Sequence, residues 1–194
     1  MKNKTLVLYF IMLSLIISIQ GCAPALVAGA AATGVALGHD RRTAGTIVED
    51  KSIEFKVADQ INSDKKLAEQ VHITVTSYNG TVLLTGEAPK AELQTRIVNI
   101  ASNVDKVKRV VNAIQITTPT TLPSRNNDTW ITSKVKTRLL GTRDVDGTLV
   151  KVLTENGSVY LMGLVTYKEA DTATDIAKNV DGIKRVVKVF EYIE

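Results

Sequence analysis

Tyr78-Asn79-Gly80-Thr81-Val82-Leu83-Leu84-Thr85-Gly86 reappears 77 residues later as Glu155-Asn156-Gly157-Ser158-Val159-Tyr160-Leu161-Met162-Gly163. Each stretch carries Asn-Gly and then runs into apolar residues. Asn-Gly suits a type I′ turn, which needs positive φ at both central residues. Val71, Ile73 and Val75 alternate with polar residues before the first turn, so the pattern predicts a hairpin of two antiparallel strands. A second match lies further on. Ile100-Ala101-Ser102-Asn103-Val104-Asp105 through Val111 lines up with Ile176-Ala177-Lys178-Asn179-Val180-Asp181 through Val187, now 76 residues apart. One residue has been lost between the two matches, near Pro89. A nearly constant offset over separated matches marks an internal duplication. Two copies are too few for a solenoid, so the chain reads as two compact units.

Each unit begins with a helix. Ile53, Val57 and Ile61 recur at i, i+4 and i+8, and Ile131, Val135 and Leu139 repeat the pattern. Asp128 and Thr129 are the expected N-cap of the second helix, because an oxygen side chain can accept from its free amides. After each hairpin comes another helix, with Leu93, Ile97, Ile100 and Val104 as one apolar face and Ala170, Ala173, Ile176 and Val180 as the other. A last strand is expected near Lys108 and again near Lys184. The order is α-β-β-α-β, twice. A helical crossover lets the last strand join in parallel, which makes each three-stranded sheet mixed, with two helices covering one face. The fold class is therefore α+β. Gly86 and Gly163, at the strand ends, are expected to serve turns. The segments read as 22–45 tether, 46–118 first unit, 119–127 linker with Pro119 and Pro123, and 128–194 second unit. At about 70 residues each unit is near the lower limit for an independent core, so the two are expected to pack on each other.

The first residues carry a different message. Lys2 and Lys4 precede an apolar run from Leu6 to Ile19, too short for a membrane span, and then Ile19-Gln20-Gly21-Cys22. A basic start and a short apolar stretch form a secretory signal over residues 1–21. The residues before Cys22 resemble a lipobox, which implies cleavage there and a diacylated Cys22 as anchor. Gln20 departs from the usual lipobox, while Gly21-Cys22 matches it. With a single cysteine in 194 residues no internal disulfide can form. Lipid on the sulfur would also remove any redox role. Resemblance to bacterial lipoproteins implies a periplasmic face, and Ala23 rather than Asp after the cysteine implies sorting to the outer membrane. Ala23 to Gly38 is nearly all Ala, Gly, Val and Leu. It is either a flexible leash or a small-residue helix, and its glycines favour the leash.

Without the two leader lysines, the chain has 22 basic and 20 acidic side chains. That balance, export, and the lack of a basic aromatic motif argue against nucleic acid. His39 and His72 are the only histidines and have no partners at ligand or catalytic spacing. The sequence therefore carries no metal site, no cofactor site and no catalytic group, and it reads as a non-enzyme. Lys106-Val107-Lys108-Arg109 and Lys184-Arg185 read as solvated strand ends.

The Asn-Gly hairpin, the strands reaching Gly86 and Gly163, and the Val-Asp-x-Val/Ile-Lys-Arg-Val runs resemble the BON domain. The whole chain is similar to lipoproteins of the outer membrane that carry two such domains. The likeness extends to Asn127-Asp128-Thr129-Trp130-Ile131-Thr132 and to Gly157 through Thr166. It implies binding of anionic phospholipid (phosphatidylglycerol or cardiolipin), enrichment at the division septum and support of outer-membrane integrity. It also implies links to division-amidase activators and to the outer-membrane protein assembly machinery.

The residues point to a lipid-facing surface by their own chemistry. On a helical wheel Ile131, Val135 and Leu139 face the core, while Trp130, Ser133, Thr137 and Leu140 form a separate stripe. Lys134 and Lys136 flank it, and Arg138 lies nearer the core edge. No acid occurs between Asp128 and Asp144. An indole suits a membrane interface because its ring is apolar and its N–H polar. In the resembling family the lipid-binding helix is also in the second unit and corresponds to Trp130–Leu140. The first unit's helix, with Glu49, Asp50, Glu54 and Asp59, is expected to be repelled by an anionic surface. The competing readings are a periplasmic protein-interaction adaptor using the same stripe and a stress chaperone.

Overall fold

The computed structural model describes residues 40–119 and 122–194. Cys22, the signal segment and the tether to residue 39 lie outside them. The first repeat is built from α1 (Ala44–Ser63), the single turn α2 (Lys65–Ala68), β1 (His72–Tyr78), β2 (Thr81–Ala88), α3 (Ala91–Ser102) and β3 (Arg109–Ile116). The second has α4 (Leu122–Leu140), a 3₁₀ turn at Gly147–Leu149, β4 (Lys151–Glu155), β5 (Ser158–Val165), α5 (Tyr167–Lys178) and β6 (Arg185–Tyr192). The sheets have orders β1-β2-β3 and β4-β5-β6. In each, the hairpin is antiparallel and the last strand pairs parallel with the middle one. The expected α-β-β-α-β order and mixed sheets are present twice.

Residues 40–194 form one compact unit, and strand alternation explains how. In β2, Val82, Leu84 and Ala88 join Ile53, Val57, Ile97 and Ile114 under the helices, while Leu83 faces the other way. In β5, Val159, Leu161 and Val165 face their helices, and Tyr160 and Met162 turn outward. These outward residues meet. Tyr78 and Leu83 pack with Tyr160, Met162 and Val189 in one cluster, supported by Val111, Ala113, Leu153 and Val187. The helix-free faces of the two sheets are thus pressed together, and the expected packing of the units is realised sheet on sheet.

The bonds across this seam are reciprocal. Asn79 Nδ2 donates to Glu191 on β6, and Asn156 Nδ2 donates to Gln115 on β3. Lys151 Nζ reaches Glu54 Oε1 at 2.8 Å. Arg41 donates to the Leu164 carbonyl and to both carboxylate oxygens of Glu169 at 2.8 Å each. Hydrogen bonding from Arg41 holds the Glu169 pKa down to about 2, against the opposing effect of its burial. Glu169 also closes the capping box of α5 with Thr166.

One buried carboxylate in each repeat grips the turn. Asn79 and Gly80 take φ 50° and 77°, and Asn156 and Gly157 take 48° and 74°, as a type I′ turn requires. Asp50 accepts from Asn79 N at 2.8 Å, Gly80 N at 2.9 Å and Ser77 Oγ at 2.7 Å. Asp128 accepts from Asn156 N at 2.7 Å and Gly157 N at 2.8 Å. The far side of each turn is tied by the Lys108 and Lys184 amides, donating to Gly80 and Gly157 carbonyls, and by those lysines' ammonium groups on the Asn side chains.

Four expectations are corrected. Helix α4 starts at Leu122, inside the segment read as linker, so Asp128 and Thr129 are not its cap. Pro123 falls in its first turn, where a missing amide costs nothing, and Asp128 is instead spent on the hairpin. Helix α1 starts at Ala44, with Thr43 Oγ1 accepting from Thr46 N, so the first unit begins earlier than residue 46. Gly86 and Gly163 lie within β2 and β5 rather than in turns. A Cβ on Gly86, at φ 111°, would sit 1.9 Å from the His72 carbonyl, and one on Gly163 would sit 2.6 Å from that of Leu149. Finally, Asp50 is not a surface acid: it is 2% exposed and ion-paired with Arg42, while Glu54 pairs with Lys51 and Lys151.

Removing either gripping carboxylate strands two amides of the turn. Asp50→Ala and Asp128→Ala should each destabilise the protein by about 3 kcal/mol, read as a lowered urea midpoint. Asp59→Ala, at an exposed position on α1, should change it by less than about 0.5 kcal/mol.

Candidate lipid-facing surface on α4

Helix α4 buries Ile131, Val135 and Leu139 almost completely against its sheet and α5. The opposite stripe is open: Trp130 is 63% exposed and Leu140 54%, with Ser133 and Thr137 exposed between them. The indole therefore does not plug the seam between the repeats. Ser133 Oγ donates to the Thr129 carbonyl at 3.0 Å, which quiets its polarity along the helix. Asp128 is buried on the turn, so the exposed residues of 129–143 carry no acid.

The cations are not equivalent. Lys134 Nζ donates to the Asp181 carbonyl at 2.8 Å, and Arg138 donates to the Asn179 carbonyl. Both acceptors follow the C-terminus of α5, where a helix leaves carbonyls unsatisfied and favours positive charge. Each group keeps further N–H donors for other partners. Lys136 differs. Its Nζ donates to Gly147 O at 2.8 Å and Val150 O at 2.7 Å. Burial draws its pKa below the ordinary lysine value, with Asp146 opposing. Lys136, expected to flank the stripe as a phosphate contact, instead satisfies the carbonyls around the 3₁₀ turn. Buried carbonyls demand a donor, and nothing in the local sequence pattern shows that these come within its reach.

The equivalent helix of the first repeat is less repellent than its sequence implies. With Asp50 buried and Glu54 paired, Val48 and Phe55 stand exposed, Phe55 at 71%. Glu49 and Asp59 remain exposed on the same helix, so the two copies still differ in the acids they show. Phe55 lies two residues beyond Ile53, off the core face of the wheel, and that spacing is the sequence signal for its exposed ring.

A polar cleft of about 330 Å³ borders the start of α4, lined by His72, Arg125, Asp128, Thr132, Thr154 and Glu155 among others. Burial, then Arg125, lowers the His72 pKa, with Glu87 opposing. Among the described residues no three His, Cys, Asp or Glu side chains gather as a metal site. Among them, too, no helix is long and apolar enough to cross a membrane.

The BON domain pattern matches residues 49–118 and 127–194, one match for each repeat. The chain belongs to the BON domain family. It is 35% identical over 184 residues to the outer membrane lipoprotein DolP of Haemophilus influenzae, covering 95% of each chain. It is 38% identical over 155 residues to a 21 kDa hemolysin of Actinobacillus pleuropneumoniae, covering 80% of each. It is 30% identical over 145 residues to osmotically-inducible protein Y of Escherichia coli, covering 73% of this chain and 72% of the other. The repeat read from the sequence is thus a pair of BON domains.

A stripe that serves the surface and not the core leaves a clear mark on stability. Trp130→Ala should shift the unfolding free energy by less than about 0.5 kcal/mol, whereas its neighbour Ile131→Ala should cost about 2–5 kcal/mol. Urea unfolding of the two variants checks this.

Proposed function

We propose that this BON protein is a non-enzymatic lipoprotein of the outer membrane, anchored at Cys22 and facing the periplasm, whose second domain binds anionic phospholipid through α4. The exposed, acid-free stripe from Trp130 to Leu140 carries the proposal. In this reading the indole and Leu140 enter the head-group layer, Lys134 and Arg138 meet phosphate, and Ser133 and Thr137 lie at the water line. Lys136 adds positive potential from a half-buried position. The H. influenzae relative is an outer membrane lipoprotein, which supports the location, and the near-complete coverage supports carrying it over. Septal enrichment, support of membrane integrity, and links to amidase activators and the assembly machinery are what the resemblance to lipoproteins with two BON domains implies, and they stand as part of this proposal.

The energetics fit an accessory contact. Each cation near an anionic surface contributes about 1 kcal/mol, and burying a Leu or aromatic side chain contributes roughly 1.5–3 kcal/mol. The sum before ordering costs is about 5–8 kcal/mol, equivalent to a Kd between roughly 200 μM and 1 μM. A lipid anchor in the same chain makes that contact intramolecular and raises its occupancy.

The test uses residues 40–194, which keep every contact described above. This unit should float with vesicles containing phosphatidylglycerol and stay behind with purely zwitterionic ones. Rising salt should release it, because screening weakens the attraction. Trp130→Glu with Leu140→Glu should abolish flotation while leaving the fold intact. Unchanged flotation of that variant would refute the proposal. Capture of a periplasmic protein by the same stripe, without vesicle binding, would establish the adaptor reading instead.

A further inference from the structure

Strand alternation places two acids on the inner faces of the opposed sheets. In β4, Leu153 belongs to the cluster between the sheets, so Glu155, two residues on, shares its face. In β2, Leu83 marks the same inner face, and Thr85 and Glu87 follow it. Glu87 is 0% exposed, and neither of its oxygens has a hydrogen-bond partner among the described residues. The Thr85 hydroxyl lacks one too. Glu87 sits between His72 on β1 and Gln115 on β3. Gln115 in turn accepts from Asn156, the neighbour of Glu155. Glu155 is 6% exposed and lines the polar cleft. At the equivalent places of the duplicated pattern stand Tyr78, in place of Glu155, and Leu164, in place of Glu87. There the seam is closed by an aromatic ring, with Arg42 stacked 3.8 Å above it. One seam is apolar and the other acidic.

We propose that the acidic seam is a proton-linked joint: Glu155 keeps its proton while the repeats are packed, and losing it places a charge at a buried position between the sheets, beside Glu87. The groups facing Glu155 are Glu87 from β2, Asp128 and Arg125 from α4, and His72 from β1. Asp128 is committed to the turn amides. Burial, first, and then Glu87 and Asp128 raise the Glu155 pKa from 4.5 to about 7, with Arg125 opposing. The sign follows from proton counting. Between these values the folded chain holds a proton that the unfolded chain has released. Stability therefore falls as pH rises from about 4.5 to about 7 and is level for this group above that. The repeats hold together more tightly in acid.

Two measurements on the full chain in detergent micelles test this. In the first, carbon NMR follows the Glu155 carboxyl of the unaltered protein. A midpoint near 7 is expected, and a midpoint in the ordinary carboxyl range near 4.5 overturns the joint. In the second, urea unfolding is compared at pH 5 and pH 8. Glu155 should cost the unaltered protein on the order of a hundredfold in its folding equilibrium between them, read as the difference from Glu155→Gln so that the opposing gain from His72, whose lowered pKa favours the folded chain as pH rises, cancels. One extra proton on the folded chain makes that equilibrium fall about tenfold for every tenfold drop in proton concentration, and the proton is held only up to about pH 7. Glu155→Gln should remove most of that loss. A wild-type slope in folded Glu155→Gln overturns the proposal.

Discussion

Each sheet of this protein buries side chains on both faces, and three strands with two helices can cover only one of them. The residues of β2 are buried along its entire length. Val82 and Leu84 lie under the helices of their own repeat, and Leu83 lies against the other repeat. Tyr160 and Met162 repeat this from the opposite side. A repeat of about 70 residues buries too small a share of its surface to be robust alone. The duplication solves the problem by giving each exposed sheet face a copy of itself to cover it. The reciprocal reach of Asn79 to β6 and of Asn156 to β3 is what two like units facing one another produce.

Within that frame the Asp50 and Asp128 carboxylates do the same work in both copies. Each lies on the inner side of a first helix and satisfies the two amides of an Asn-Gly turn, locking helix to hairpin. Because the lock faces inward, the outer side of the helix is free to change without unfolding the repeat. The two copies have used that freedom differently. Helix α1 interleaves Val48 and Phe55 with Glu49 and Asp59. Helix α4 keeps Trp130 and Leu140 without any exposed acid beside them. The proposed division of labour between the domains rests on this separation of a shared inner lock from a variable outer face. The seam shows the same divergence: Tyr78 and Leu164 on one side, Glu155 and Glu87 on the other.

Most of the architecture was legible in the sequence because it rests on local periodicity. Alternation of two marked the strands, spacing of three and four marked Ile131, Val135 and Leu139 as core, and Asn-Gly marked the turns. The wheel also set Trp130, Ser133, Thr137 and Leu140 on an exposed stripe, where the structure places them. The features that were not legible depend on distant partners. Asp128 resembles a cap because a cap is the commonest local use of an aspartate before a helix, yet its partners are 28 and 29 residues away. Lys136 looks free because its two carbonyl acceptors belong to the 3₁₀ turn and the strand after it. Asp50 looks like surface charge because Arg42 and the hairpin amides that hold it do not show in a helical wheel.

Spacing along the chain is enough to give the repeat, the element order and the helix stripes, because backbone geometry turns spacing directly into direction. Which polar side chains are spent on the fold, and which are left for the surface, emerges when the packed elements meet. That outcome is settled by which donors and acceptors come within about 3 Å of each other after the sheets close, and residues far apart in the chain carry no mark of it beforehand.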